Sequence, residues 1–260
     1  MVEVFGHEKL KVYQRGLEFV VMRKDLLGGI SKKVAACDHL DRASESILLN
    51  IAHASSSWSA KDRIISLGYA NGSALECAAC LDVLVAKMLL TVSDVCSCKS
   101  HIREIVSMLI AMRKTASHIV RETSSDYYVT TEGGFFSHEK LDVYQAALWF
   151  VRWVEDISVD FSGSADLYSK LDKSSTAIVL NIAEGNGRFG GIDHVKFLRI
   201  AYRAAIQSAS LVDLAMVGNS FASEREKKGQ EMLRRIAAML TSLSKVVSKT
   251  GSSAKSMGKL

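Results

Sequence analysis

Two stretches of this sequence return 131 positions further on, in one register. Phe5-Gly6-His7-Glu8-Lys9-Leu10-Lys11-Val12-Tyr13-Gln14 returns as Phe136-Ser137-His138-Glu139-Lys140-Leu141-Asp142-Val143-Tyr144-Gln145, and ten of the fifteen pairs from 5/136 to 19/150 are identical. Leu40, Asp41, Ser44, Ile47, Asn50 and Ile51 come back at the same offset as Leu171, Asp172, Ser175, Ile178, Asn181 and Ile182. A register held that long is the mark of a tandem duplication. Copy one occupies 1–122, a linker 123–135, copy two 136–250 and a basic flexible tail 251–260.

Each copy must bury its own core, and its apolar spacing says how. Leu10, Tyr13, Leu17 and Val20, then Val34, Cys37, Leu40, Ser44, Ile47 and Ile51, recur every three or four positions as on one face of a helix. Two further such stretches follow, centred on Cys77 and Leu109, and copy two repeats all four. The chain has no proline, where a share of about 5% is usual; that absence fits long helices joined by short Gly/Ser connections. The expected fold is all-α, two antiparallel up-down-up-down four-helix bundles in tandem. Gly28-Gly29 and Gly185 are expected to stop helices, and Ser59 and Ser223 to cap them, Ser223 in a capping box with Glu226. Asn50 and Asn181, inside apolar stretches, are expected to fix helix register.

The composition, 48% hydrophobic and 23% charged over 260 residues, is that of a globular protein. No apolar run approaches the roughly 18 residues of a membrane span, and Met1-Val2-Glu3-Val4 lacks the basic-then-apolar order of an export signal. The expected address is the cytoplasm, with no membrane partner. Five cysteines, an odd number, then read as reduced thiols.

Phe136 with Leu141-x-Val143-Tyr144-Gln145, the turn Asn181-Ile182-Ala183-Glu184-Gly185-Asn186-Gly187-Arg188, and the following Asp193, Phe197-Leu198 and Ala201 resemble the four-helix bundle family first met as intervening-sequence-encoded proteins of 23S ribosomal RNA genes. The accessory variability determinant of diversity-generating retroelements shares that fold. Copy one carries His53-Ala54-Ser55-Ser56-Ser57 in place of the Glu-Gly turn but keeps Ala70-Asn71-Gly72-Ser73-Ala74-Leu75-Glu76, similar to a later family stretch. Copy two has replaced that stretch by Ala201-Tyr202-Arg203-Ala204-Ala205-Ile206-Gln207. The resemblance implies a non-enzymatic bundle that assembles into rings, typically of five. In retroelement members it also implies a reverse transcriptase and its structured template RNA as partners. Two bundles per chain do not divide a ring of five evenly.

Contact with RNA would fall on cations. Lys196, Arg199 and Arg203 stand at i, i+3 and i+7, one helix face, and a second group comprises Lys227, Lys228, Arg234 and Arg235 with Arg225 beside it. The alternative is a solvated face, with Glu231 pairing Arg234 or Arg235. Arg188 is either a phosphate-facing loop residue or a partner of Glu184 or Asp193. The formal charge of +5 is compatible with RNA without requiring it. Trp149 and Trp153, four apart, form either a protein interface or a widened core. A protein-binding scaffold, or an intervening-sequence protein with no reverse transcriptase partner, is the alternative function.

Cys77-x-x-Cys80 and Cys96-x-Cys98 have a superficial zinc spacing. The pairs fall at different heights on antiparallel helices, and copy two lacks them, so they read as apolar packing. His7-Glu8 and His138-Glu139 lack the second histidine of a zincin helix. No nucleophile-base constellation and no inward carboxylate pattern stands out; no catalytic residue, metal or cofactor is expected.

Overall fold

The computed structural model describes residues 5–120, 136–161, 163–188, 191–217 and 223–257. Among them eight α-helices run in chain order: α1 Lys11–Leu26, α2 Ala35–Ser56, α3 Ala60–Ala86, α4 Val92–Val120, α5 Asp142–Asp156, α6 Ala165–Gly187, α7 Gly191–Val217 and α8 Ser223–Met257. Among the described residues there is no strand. Each copy opens with a one-turn 3-10 helix, Gly6–Lys9 or Ser137–Lys140. The orphan amides of Phe5 and Phe136 there donate to the carboxylates of Glu8 and Glu139, 2.7 Å away in both. The linker 123–135, residues 218–222 and the Ser223 side chain of the expected capping box lie outside the described residues.

Within each copy, helices adjacent in the chain pack side by side, and α1 meets α4 as α5 meets α8, which closes each copy into a bundle. His39 reaches Glu76 and Ser46 reaches Ser73, so α2 and α3 are antiparallel. Ser208 meets Ser174 and Gly185 lies under Phe197, which does the same for α7 and α6.

Helix ends show where local chemistry and packing part. Ser59 caps α3 by accepting from Asp62 N, as expected. Gly185, expected as a stop, lies inside α6, which runs on to Gly187. Its need is space: a Cβ there would lie 2.8 Å from the Phe197 Cβ. The left-handed residue closing α3 is instead Met88, φ 58°, whose turn is fixed by the Leu89 N to Leu84 O bond of 3.0 Å. Asn50 and Asn181 donate to carbonyls four residues back in their own helix, not across the bundle. The expected boundary at 250 also falls inside α8, so 251–257 continue that helix.

The two copies are packed on each other. Helix α3 lies antiparallel to α6, with Asn71 opposite Gly187 and Lys87 opposite Asp172, and also touches α5. From Leu67 to Leu84 only Tyr69, Glu76 and Asp82 escape burial, because α3 faces its own bundle on one side and copy two on the other. By length and hydropathy α3 is the one described helix that would suit a membrane, although no such run was expected, but 72% of that window is buried inside the protein.

Candidate nucleic-acid interface

The halves of the family motif that each copy retained meet where the copies touch. Asn71 donates to the Gly187 carbonyl at 2.7 Å, and a Cβ on Gly187 would come within 2.9 Å of the Gly72 Cα. Two helices approach this closely only through glycines. Arg188 lies in the same contact, ion-paired with Glu184 and sandwiched between the Tyr69 and Phe197 rings, each centroid 4.8 Å from its guanidinium. With its side chain only 10% exposed, Arg188 is withdrawn from phosphate. The reading of it as a phosphate-facing residue is therefore corrected, and the Glu184 pairing holds.

Two ion clusters, one buried and one half-buried, secure the same interface. Lys87, 2% exposed, contacts Asp172 at 2.7 Å and Glu155 at 2.8 Å. Burial opposes its charge, but these carboxylates more than offset that and its pKa is pushed up to about 12. In the second cluster Lys99 bridges Asp82 and Glu139, and the Tyr144 hydroxyl donates to Asp82. His138 is fully buried beside them, between Phe136 and Tyr144. Burial, then the Lys99 charge, lowers its pKa to about 3. Asp82, His138 and Glu139 bring ligating atoms within 4.8 Å of one another. The Lys99 ammonium already supplies the cation that the two carboxylates require, so the cluster reads as an ion-pair lock. None of Lys87, Lys99, Asp82 or Glu155 was singled out from sequence. Their only trace is that Gly218 and Gln230 stand at the copy-two positions of the two lysines.

The other cations expected to contact RNA face water. Lys196, Arg199 and Arg203 are all exposed along α7, with Tyr202 40% exposed beside them. None of the three is in an ion pair among the described residues. On α8, Lys227, Lys228, Arg234 and Arg235 are exposed, and the expected pairing of Glu231 with Arg234 or Arg235 is absent among the described residues. Arg225 is neutralised by Asp160.

The tryptophan pair divides. Trp153 is 6% exposed, stacks on Phe150 at 5.5 Å and lies over Gly229, where a Cβ would meet its ring at 2.5 Å. It belongs to the core, whereas Trp149 is 68% exposed. Trp149 borders a cleft of about 870 Å³ between α3 of copy one and α5 and α8 of copy two, which Lys228 and Arg235 also line. Sequence reasoning placed these residues in separate groups; the fold brings them together.

Cys37, Cys77, Cys80 and Cys98 are buried and Cys96 is exposed; none forms a disulfide. Burial pushes Cys37 up to about 11 and raises Cys77 and Cys80 well above the usual thiol range, which keeps them as unreactive thiols in the packing.

A duplicated helical bundle, its copies joined by a glycine contact and two ion clusters and with exposed cations on α7 and α8, defines the class. Residues 8–111 and 139–242 match the family described as 23S rRNA-intervening sequence protein. The chain belongs to that family, once in each copy. No curated protein and no solved structure matches it.

Proposed function

We propose that this protein is a non-enzymatic adaptor that holds structured RNA on the basic faces of copy two, as an accessory subunit to a reverse transcriptase. The observation that carries the RNA part is the row Lys196, Arg199 and Arg203, exposed and without carboxylate partners among the described residues. Cations left unpaired on one helix face neutralise backbone phosphates and release counterions, which supplies affinity without reading bases. The reverse transcriptase partner rests on the family resemblance alone.

The test is the triple variant Lys196→Glu, Arg199→Glu, Arg203→Glu, with RNA binding followed across salt concentrations. Each lost phosphate contact lowers the slope of log K against log salt by about 0.7–0.9, so three lower it by about 2–3. Equal affinity and slope in the variant would leave the row a solvated face.

Self-assembly of chains is an alternative use of the same α7 face, which a second chain and RNA cannot occupy together. The surfaces joining the copies are dissimilar, α3 on one side and α5 with α6 on the other, so every chain leaves one surface of each kind free. The free surfaces carry Phe5, 73% exposed, and Ile206, 48% exposed. Arg203 and Ser56 replace the glycines of the close contact there, so any joint between chains is looser than the internal one. Light scattering at two protein concentrations tests this, and a strictly monomeric chain would end it.

A further inference from the structure

We infer that the cleft between the copies is a site for an unpaired nucleobase of bound RNA, stacked on Trp149 with its flanking phosphates on Lys228 and Arg235. The inference rests on the RNA reading above and names the form of RNA: a single-stranded stretch.

The cleft exists only because the copies pack together, with Val85 and Ala86 of α3 forming one wall and Trp149, Trp153 and Met232 the other. Its volume, about 870 Å³, falls within the roughly 300–1,000 Å³ of small-ligand sites. Trp153 is held from beneath by Gly229 and Phe150, which leaves the Trp149 ring as the exposed aromatic surface. The charges at the rim are then sorted. Arg152 holds Asp156 at 2.9 Å, and Asp82 is taken up by Lys99 and Tyr144. Lys228 and Arg235 remain, in no ion pair among the described residues and on one face of α8 with Met232 between them. An apolar helix seated here would cover these two cations without neutralising them, a desolvation cost. A ligand with a flat π-face and adjoining negative charge satisfies ring and cations together, which is the chemistry of a base in a single strand.

Copy one supplies a contrast at the same offset. Glu18 stands for Trp149, Ser97 for Lys228 and Glu104 for Arg235, and Arg15 holds both of those glutamates. The equivalent patch has neither aromatic surface nor unpaired cation, so the combination belongs to copy two.

The experiment uses the full chain with Trp58→Phe, which removes the fully exposed tryptophan. A ten-nucleotide single-stranded RNA and a duplex of equal length are titrated while tryptophan fluorescence and RNA anisotropy are recorded. Base stacking predicts quenching by the single strand, affinity weakened roughly 5- to 100-fold by Trp149→Ala, and most of it kept by Trp149→Phe. RNA binding without quenching, unaffected by Trp149→Ala, overturns the cleft site and leaves the α7 reading standing. Quenching by the duplex alone, or by an acidic aromatic peptide but not RNA, also overturns it. Binding of no RNA at all defeats both readings together.

Discussion

His138 makes the joint between the copies sensitive to acid. The side chain is fully buried and its pKa is lowered to about 3, while burial lowers His194 to about 4. An unfolded chain protonates both near pH 6.5. Below that value the unfolded state binds more protons than the native state, so stability is complete above pH 6.5 and falls as pH is lowered toward the native pKa values. Going from pH 7 to pH 5, each histidine removes ~2 kcal/mol and the pair ~4 kcal/mol. The assay is urea denaturation of wild type and His138→Phe at both pH values. The ring of phenylalanine fits between Phe136 and Tyr144 without a titrating group, so the variant should lose ~2 kcal/mol less than wild type over this interval. Taking the difference between proteins removes the carboxylates common to both. Equal losses, within about 0.5 kcal/mol, would refute the argument that His138 is held neutral.

Lys87→Met leaves Asp172 buried without its cation and should cost about 3–5 kcal/mol, measured by denaturant midpoint. Gly187→Ala pushes a methyl against Gly72 and should cost about 1–3 kcal/mol, with the copies unfolding less cooperatively in calorimetry. Met88→Gly relieves the one left-handed non-glycine residue among those described and should raise stability by about 1 kcal/mol, seen as a higher Tm. The α7 triple-glutamate variant should leave Tm nearly unchanged, because each of its side chains is exposed.

Much of the fold was legible because a duplicated helical pattern is redundant. Each helix is written twice, and the apolar period of one copy checks that of the other. Helix ends were read less well: glycine was weighed as a turn former, yet Gly185 and Gly187 serve close packing, which depends on a neighbour that spacing cannot reveal. Within the candidate site, the cations of α7 and α8 could be recognised from their spacing along a single helix. Arg188 could not, since the residues that bury it, Tyr69 and Phe197, come from α3 of the other copy and from α7.

The sequence by itself determined that the chain is a duplicated set of amphipathic helices, because helical periodicity is a local property repeated in register. It also held the division of the family motif between the copies, without its meaning. Only the tertiary structure decided that the two retained halves face each other, that Lys87 and Lys99 are counterions between the copies, and that Trp149 shares a cleft with Lys228 and Arg235. Contacts between helices far apart in the chain follow from shape and charge matching across surfaces, and no spacing along one strand of sequence encodes them.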